Sequence, residues 1–263
     1  MTSVTPAQKS PDTSKDPTLV VKDLWVSYGK VQALTGLSLE VGSSTICAIV
    51  GMNGSGKSTF FKSIMGMVPL QSGTISVRGQ GSLSARKQGL VGYVPQNEDI
   101  DHHFPLSVYD VVMMGRYSFM GPLRRSRAVD REAVENALEV VGLTKLRNRP
   151  IGALSGGQRK RAFVARAVAQ GAEIMLLDEP FAGVDYTSED VIIGLLRQLA
   201  DKGATLLVST HDLASIPRFA DEVALLNRRI VGRGQPEEAL RQENLVQAFT
   251  ERGSAHDHAS TVH

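Results

Sequence analysis

The sequence predicts an α/β fold whose central sheet is mostly parallel and covered by helices on both faces. Three short segments, residues 45–50, 172–179 and 204–210, are apolar along most of their length instead of alternating with polar residues. Strands of this kind are typical of parallel sheets, because both faces of such a sheet are buried. Stretches with helical spacing of apolar residues lie between these segments, which indicates β–α units.

An antiparallel β part is predicted before and after the first buried strand. Residues 1–17 are rich in Ser, Thr, Pro, Lys and Asp and are predicted to be disordered. Residues 18–28 are enriched in Val and Trp with partial alternation, which favours a strand, and residues 31–41 form a second strand region. Residues 74–79 read as a third short strand, and residues 79–89 as a polar loop.

A complete phosphate-binding loop pattern follows the first buried strand. Four residues separate Gly51 from Gly56, and Lys57 and Ser58 come directly after the second glycine. The glycines let the backbone wrap tightly, so that successive N–H groups point at phosphate oxygens. The helix expected from about residue 57 to residue 65 adds its positive end. Lys57 would reach the β- and γ-phosphates of a nucleotide, and the Ser58 hydroxyl would ligate Mg²⁺. The residues predicted to bind nucleotide here are Gly51, Asn53, Gly54, Ser55, Gly56, Lys57, Ser58 and Thr59.

The character of the chain becomes helical from about residue 97 to residue 170. Residues 126–143 carry apolar side chains at helical spacing and form the clearest predicted helix of this region. The start of this helix is basic, which indicates a solvated helix end or, alternatively, a contact with lipid head groups or a partner. The basic residues are Arg124, Arg125, Arg127 and Arg131.

The rest of the chain continues the alternation of strands and helices. A strand at residues 90–96 precedes the helical region, and an amphipathic helix at residues 188–203 follows the strand at residues 172–179. The last predicted strands cover residues 220–227 and 228–234. The last helices cover residues 236–242 and 244–250, and residues 253–263 are expected to be a flexible tail.

Composition excludes several classes of function. The 29 Lys and Arg residues nearly balance the 27 Asp and Glu residues, and a net charge of +2 gives no electrostatic footprint for nucleic acid. Cys47 is the single cysteine, which excludes a disulfide framework, and it is predicted to be a small buried hydrophobe. No run approaches 18 apolar residues, and the N-terminus carries no apolar secretion signal. If the protein works at a membrane, we expect it to do so through a partner.

Two acids follow the second buried strand. Asp178 and Glu179 stand at the carboxyl end of this strand, where open α/β sheets bind ligands. Asp178 could hold Mg²⁺ opposite Ser58, directly or through water. Glu179 could polarise a water molecule for attack on a γ-phosphate, because phosphoryl transfer depends mainly on positioning and charge stabilisation.

Residues 154–158, Leu-Ser-Gly-Gly-Gln, open a second helix. Ser155 is a suitable N-cap, and the glycine pair behind it makes this a second anion-binding helix start. The pattern resembles the signature of the ATP-binding cassette (ABC) ATPases. In that family the signature of one subunit contacts the γ-phosphate of ATP that the loop of another subunit holds, so that two subunits enclose two nucleotides head-to-tail. The resemblance implies that the residues in contact with nucleotide on a second copy are Ser155, Gly156, Gly157 and Gln158.

Other motifs of the family occur in the expected order. Tyr28 resembles the aromatic residue that stacks on adenine, and Gln96 the glutamine that meets the metal and the attacking water. His211 resembles the switch histidine that senses the γ-phosphate. Asp185 resembles an aspartate that crosses the dimer interface, although the Phe-Ala-Gly-Val before it departs from the commoner Ser-Ala-Leu.

The resemblance covers about residues 19–250. It implies a P-loop NTPase fold, an ABC nucleotide-binding domain at residues 18–252 with a RecA-like core, an antiparallel β part and a helical subdomain at about residues 97–170. It implies ATP and Mg²⁺ as cofactors, with Ser58, Gln96 and Asp178 around the metal. Catalysis is then expected to use Glu179, His211 and Gln96.

Residues 94–125 and 179–185 resemble the branch of the family that imports manganese, zinc or chelated iron. The branch implies a peripheral subunit on the cytoplasmic face of the cell membrane, attached to permease subunits and served indirectly by an extracytoplasmic metal-binding protein. The alternatives are an importer of another solute, such as a haem or siderophore chelate, and a regulatory ABC module without transport. Four apolar residues could line the groove for the permease or belong to the core: Phe104, Val108, Val111 and Met114.

Five histidines in two segments invite a metal-sensor interpretation. Adjacent or alternate histidines in flexible segments are weak ligands without a framework, so solvated side chains are expected instead. These residues are His102, His103, His256, His258 and His263.

Overall fold

The computed structural model describes residues 17–96 and 106–250. Phe104 and the five histidines of the sensor hypothesis lie outside the described residues, as do both predicted tails apart from Pro17. The strands are β1 (Pro17–Tyr28), β2 (Val31–Gly42), β3 (Ile46–Val50), β4 (Ser72–Val77), β5 (Gln80–Gly81), β6 (Val91–Val94), β7 (Ile174–Asp178), β8 (Thr205–Thr210), β9 (Glu222–Asn227) and β10 (Arg229–Gly234). The helices are α1 (Lys57–Ile64), α2 (Ser82–Lys87), α3 (Val108–Met113), α4 (Ala128–Val140), α5 (Gly156–Gln170), α6 (Tyr186–Asp201), α7 (Ile216–Phe219), α8 (Pro236–Ala239) and α9 (Gln242–Thr250).

A six-stranded sheet forms the centre of the fold, in the order β10-β9-β3-β8-β7-β6. Every neighbouring pair in it is parallel except β9 and β10, which form an antiparallel hairpin. Alternate residues of β3 belong to two different cores: Ile46 and Ala48 face one, and Cys47 and Ile49 face the other. The prediction of a mostly parallel sheet buried on both faces is therefore confirmed, and Cys47 is fully buried. Burial raises the pKa of the Cys47 thiol well above its usual value.

A second sheet has four antiparallel strands in the order β2-β1-β4-β5. Its inner face and α1 enclose the core that contains Cys47 and Ile49, and Phe60 and Phe61 of α1 are fully buried there. β1 begins at Pro17, one residue before the predicted start. This sheet is the predicted antiparallel β part, and it packs against the helix that follows the phosphate-binding loop.

The prediction of a polar loop over residues 79–89 is wrong, because β5 and α2 occupy most of this segment. No apolar periodicity announces the helix, and its one fully buried side chain is Ala85. The helix is fixed by tertiary contacts instead. The Arg86 guanidinium donates to the Met65 carbonyl beyond the end of α1. A local bond at the end of the helix adds to this contact, because Leu90 N donates to the Ala85 carbonyl at 3.0 Å.

Helices α3, α4 and α5 pack together in the region between β6 and β7. Val108 and Val111 of α3 are fully buried in the core, so the core interpretation applies to these two residues. Met114, which begins a 3-10 helix (Met114–Phe119), is partly buried. A carboxylate, Asp130 of α4, is also fully buried here and accepts hydrogen bonds from Arg116 and Arg127.

Side chains of helix α5 form hydrogen bonds along the edge strand of the six-stranded sheet. β6 is the edge strand, and the Gln170 amide donates to the carbonyls of Gly89 and Val91, both at 2.9 Å. The Arg166 guanidinium donates to the Tyr93 carbonyl of the same strand at 3.2 Å. Side chains of α5 therefore take the hydrogen bonds that another strand would otherwise form along this edge.

The carboxyl ends of the parallel strands bring distant parts of the chain together. Val50 at the end of β3 pairs with Thr210 at the end of β8, and Asp178 at the end of β7 pairs with Ser209. The phosphate-binding loop, the two acids and His211 therefore lie together at the carboxyl ends of neighbouring strands. Open α/β sheets bind their ligands at this end of the strands.

Candidate functional site

A cleft of about 260 Å³ lies at the carboxyl ends of the parallel strands. It unites residues from the loop before α1 with residues that follow β6, β7 and β8. Its lining residues are Met52, Asn53, Gly54, Gly56, Lys57, Ser58, Thr59, Gln96, Asp178, Glu179 and His211. The structure therefore brings together most of the predicted loop residues with the predicted acids, glutamine and histidine.

The loop owes its shape to glycine and to its own lysine. Gly56 precedes α1 with φ at 105°, a left-handed conformation that favours glycine. A Cβ atom on Gly56 would also lie 2.7 Å from Leu34 Cδ2 and 2.9 Å from the Ala33 carbonyl. Inside the loop, Lys57 Nζ donates to the Gly51 carbonyl at 2.6 Å. The N-terminus of α1 has no side-chain cap, so its first N–H groups remain available to an anion.

Two predicted ligands, Gly51 and Ser55, do not line the cleft but support the loop. A Cβ on Gly51 would lie 2.3 Å from Ser55 Oγ, and Ser55 is 3% exposed. The Ser55 carbonyl accepts from Arg228 N at 2.7 Å, and the Arg228 carbonyl accepts from Thr35 N at 2.9 Å. The β9–β10 turn therefore joins the loop to β2, a contact that the sequence pattern does not reveal.

Lys57 is buried between the loop and the acids. Burial lowers its pKa below the usual lysine value, while the negative charges of Glu179 and Asp178 act in the opposite direction. The distance from Lys57 Nζ to Glu179 Oε1 is 3.9 Å, and both side chains are 8% exposed. The Lys57 ammonium group thus lies between the loop and the acids. A phosphate bound there would neutralise its positive charge.

Asp178 and Ser58 provide two oxygen ligands that could hold a metal ion. Ser58 Oγ donates to Asp178 Oδ2 at 3.0 Å, and Tyr93 OH lies 3.5 Å from the same carboxylate oxygen. The other oxygen, Asp178 Oδ1, accepts a hydrogen bond from the Ser209 hydroxyl. A hydroxyl and a carboxylate oxygen this close are hard donors of the kind that Mg²⁺ prefers, so these residues fit that ion.

Glu179 leaves the strand in an unusual conformation. Its φ is 51°, in the left-handed region that few residues other than glycine adopt. Its N–H lies 3.0 Å from Ser209 Oγ and 3.1 Å from the Ser209 carbonyl. Its carboxylate reaches His211, with Oε2 2.8 Å from Nδ1 of the ring. The buried acid is therefore held at its backbone by β8 and at its side chain by the residue after β8.

Gln96 and His211 are exposed residues of the cleft. The His211 side chain is 66% exposed, whereas Glu179 beside it is 8% exposed. The Gln96 carbonyl accepts from Lys160 Nζ of α5 at 2.6 Å. Both residues line the cleft together with Glu179.

The signature residues lie outside this cleft. Ser155 and Gln158 form a capping box, in which Ser155 Oγ accepts from Gln158 N at 3.3 Å and Gln158 Oε1 accepts from Ser155 N at 3.1 Å. A Cβ on Gly157 would lie 2.5 Å from Ser188 Cβ of α6, so the helix starts of α5 and α6 are in close contact. Ser155 and Gly156 are exposed.

Two other residues that the resemblance assigns to nucleotide, Asp185 and Tyr28, do not line the cleft. Asp185 caps α6 by accepting a hydrogen bond from Ser188 N at 2.9 Å. The pKa of the Asp185 carboxyl is lowered, mainly by the hydrogen bond from the Ser188 hydroxyl. Tyr28 ends β1 and is 48% exposed. Neither side chain is therefore part of the group that the cleft gathers within one chain.

Ser209 is the residue that sequence reasoning missed. It is fully buried at the end of β8 and bonds to both acids. A serine at the end of an apolar run was a weak signal, because its partner across the sheet depends on the strand register. Lys160 was missed for a similar reason, since its contact with Gln96 joins residues 64 positions apart.

Comparison with known proteins identifies the family. The family model described as ABC transporter matches residues 34–182, more than half of the chain. The manganese transport system ATP-binding protein MntA of Synechocystis is 52% identical over 225 residues, which is 85% of this chain and 86% of the relative. The chelated iron transport system membrane protein YfeB of Yersinia pestis is 49% identical over 234 residues, which is 89% and 79% of the two chains.

A solved structure supports the same assignment. The structure of cbiO1 from Clostridium perfringens, part of the ABC transporter complex cbiONQ, is 29% identical with a TM-score of 0.75 and covers 90% of this chain and 96% of its own. Within residues 17–96 and 106–250, no helix has the length and apolar character needed to span a bilayer. With a phosphate-binding loop, an acid pair and a signature helix in this arrangement, the chain belongs to the ABC transporter family, as an ATP-binding and ATP-hydrolysing subunit.

Proposed function

We propose that the chain powers an importer of a divalent transition-metal ion, with manganese as the first candidate. The observation that carries the ATPase part is the cleft, where Lys57, Asp178, Glu179 and His211 converge. The metal part rests on similarity to the manganese and chelated-iron transport proteins, which extends over most of each chain. The transported ion is a substrate of the whole complex and is not expected to bind in this cleft.

Nucleotide binding is assigned to the loop and the start of α1. The N–H groups of the loop and Lys57 would hold the β- and γ-phosphates, because both are positive and converge on one face of the cleft. Ser58 and Asp178 would hold Mg²⁺, assisted by Gln96. The ion would supply charge neutralisation on the phosphate oxygens.

Hydrolysis is assigned to Glu179 and His211. A water molecule attacks the γ-phosphorus, its oxygen forms the new bond, and the bond to the bridging oxygen of ADP breaks. Glu179 accepts the proton of the water as general base. His211 orients the Glu179 carboxylate through the 2.8 Å contact and lies at the exposed side, where the γ-phosphate would sit.

A second copy of the chain is proposed to complete the site. Ser155, Gly156, Gly157, Gln158 and Asp185 do not line the cleft of their own chain, and Ser155 and Asp185 are exposed. A head-to-tail dimer would place the signature of each subunit over the nucleotide of the other, and Tyr28 would stack on adenine. Exposure of Ser155, Gly156 and Asp185 in one chain is compatible with this arrangement.

The partners beyond the dimer are permease subunits in the membrane and, indirectly, an extracytoplasmic metal-binding protein. The chain would be peripheral on the cytoplasmic face, attached through the permease. Gln96 stands between the catalytic cleft and the helical region, and its carbonyl is bonded to α5. Movement of this region with the permease would therefore reach the attacking water. The alternatives remain an importer of a haem or siderophore chelate and a regulatory module without transport.

The proposed base is tested with Glu179→Gln, which keeps the size and removes the negative charge. We expect the turnover number for ATP to fall by about 100-fold or more, because a general base contributes at least this factor. Binding of a fluorescent ATP analogue should persist. Glu173→Gln is a matched control, because Glu173 pairs with Arg78 outside the cleft. Near-normal hydrolysis by Glu179→Gln would contradict the base assignment.

The transported substrate is tested in the whole complex. A strain that lacks the chain should lose uptake of radioactive manganese and regain it with the wild-type chain but not with Glu179→Gln. Unchanged manganese uptake with lost uptake of a haem or siderophore chelate would favour the first alternative. Unchanged uptake of every solute would favour the regulatory module.

A further inference from the structure

We propose that Ser209 is a positioning residue that orients both acids of the cleft, Asp178 for the metal and Glu179 for the water. The proposal rests on the proposed function of these acids. Ser209 lies at the end of β8, directly opposite Asp178 of β7 in the parallel register. It is fully buried, so its hydroxyl group acts on protein groups and not on solvent.

The two hydrogen bonds of the Ser209 hydroxyl have assigned directions. The Glu179 N–H can only donate, so Ser209 Oγ accepts from it, at 3.0 Å. Asp178 Oδ1 is a carboxylate oxygen and accepts the single proton of the hydroxyl. One buried hydroxyl thus bonds to two successive residues of the neighbouring strand, one through its side chain and one through its backbone.

The contact with Asp178 fixes the orientation of the carboxylate group at the proposed metal position. Oδ1 is occupied by Ser209, whereas Oδ2 lies 3.0 Å from Ser58 Oγ, the other proposed donor. Asp178 is 4% exposed, so rotation of its carboxylate has little solvent to compensate for a lost bond. Without the Ser209 hydroxyl, the carboxylate keeps its bond from Ser58 but loses the second hydrogen bond, which holds its other oxygen in place.

The contact with Glu179 supports the left-handed turn after β7. The backbone at φ 51° sends the side chain toward His211 and Lys57 instead of along the strand. The Glu179 N–H is shared between the carbonyl and the hydroxyl of Ser209. Loss of the hydroxyl leaves the carbonyl contact, and we therefore expect the fold to persist while the carboxylate loses its fixed direction.

The test compares Ser209→Ala, Ser209→Thr and Ser209→Val in the full chain. Thr and Val have the same shape, and both add a methyl group to a fully buried position, so their difference isolates the hydroxyl. We expect the Val variant to turn over ATP about 10- to 100-fold more slowly than the Thr variant, the range for a lost hydrogen bond to a charged group. The Ala variant should resemble Val in this respect.

A binding readout separates positioning from general damage. A fluorescent ATP analogue is titrated in EDTA and at increasing Mg²⁺ concentrations. We expect the Mg²⁺ concentration for half-maximal enhancement of binding to rise about 10-fold or more in Ala and Val relative to Thr. Affinity in EDTA should be the same for all three variants, because the hydroxyl does not face the nucleotide-binding loop.

Equal turnover and equal Mg²⁺ dependence of Thr and Val would overturn the proposal. So would a joint loss of EDTA binding and thermal stability in all three variants, which would make Ser209 a packing residue. Asp178→Asn and Glu179→Gln are measured in parallel. If these two leave Mg²⁺ dependence and turnover unchanged, the proposed function itself fails. If they change both while Val equals Thr, only the role of Ser209 fails.

Discussion

The sequence predicts that the helix starts of α1 and α5 both bind anions, but the two differ in how their first N–H groups are capped. α1 begins after Gly56, which has no side chain, and no side-chain cap covers its first N–H groups. α5 begins after Ser155, and its capping box with Gln158 occupies two backbone N–H groups, those of Ser155 and Gln158. The first helix start therefore has no side-chain acceptor for its N–H groups, whereas the second satisfies two of its N–H groups within its own chain.

Their surroundings differ in the same direction. The start of α1 lies in the cleft, close to the buried pair of Lys57 and Glu179. The start of α5 packs against the start of α6, with Gly157 in contact with Ser188, and meets no catalytic acid of its own chain. Under the proposed function, the start of α1 would hold phosphate within its own chain, whereas the start of α5 would meet the phosphate that another copy holds.

The largest effect is expected from changing each helix start in turn. Lys57→Ala should lower ATP affinity of the isolated chain by about 10- to 100-fold, because a charged hydrogen bond to phosphate is lost. Ser155→Arg should leave ATP binding of the isolated chain intact and block ATP-dependent dimers, which light scattering measures. Each variant alone should be inactive.

A mixture of the two variants sharpens this result. One composite site in the mixed dimer combines the intact loop of the Ser155→Arg chain with the intact signature of the Lys57→Ala chain. We expect the mixture to show ATP-dependent dimers that neither variant forms alone. Dimers of Ser155→Arg by itself would contradict the proposed role of the signature toward a second copy.

An intermediate effect is expected where α5 meets α6. Gly157→Ala would place a Cβ 2.5 Å from Ser188 Cβ, and overpacking of this kind destabilises by about 1–3 kcal/mol. Urea unfolding measures the change. Ser188→Gly removes the opposing atoms, so the double variant should recover part of the loss despite the missing hydroxyl. If the two changes were simply additive, the contact would not govern how the helices pack.

The smallest effect is expected from the capping box. Gln158→Ala removes the acceptor of the Ser155 N–H and should cost about 0.5–1 kcal/mol of stability. ATP affinity of the isolated chain should not change, because Gln158 does not line the cleft. Calorimetric unfolding and nucleotide titration check the two statements. Weaker ATP binding in this variant would remove the distinction between the two helix starts.

The sequence predicted the sheet and the ends of its strands well, because both depend on local patterns. The apolar run before Gly51 and the run before Asp178 are visible without any partner strand. It failed for α2, since only Ala85 is fully buried there and tertiary contacts fix the helix. Propensity and periodicity carry little information for so short an element.

The missing parts of the site are those that depend on register and on packing between distant segments. Ser209 bonds to both acids because it lies opposite Asp178 in the sheet. The apolar run before Ser209 does not predict this pairing. The contact of Gly157 with Ser188 and the bond from Lys160 to Gln96 likewise join segments far apart in sequence. Motifs identify the residue types, whereas the sheet and helix packing decide which of them meet.

The side chains of α5 along β6 have a consequence for how copies of this chain can associate. An edge strand with unpaired carbonyls is a template on which another chain can extend the sheet. Here Gln170 and Arg166 already bond to the outward carbonyls of Gly89, Val91 and Tyr93. Because these carbonyls already have partners, extension of the sheet by strand addition at β6 is disfavoured, and so is aggregation by that route.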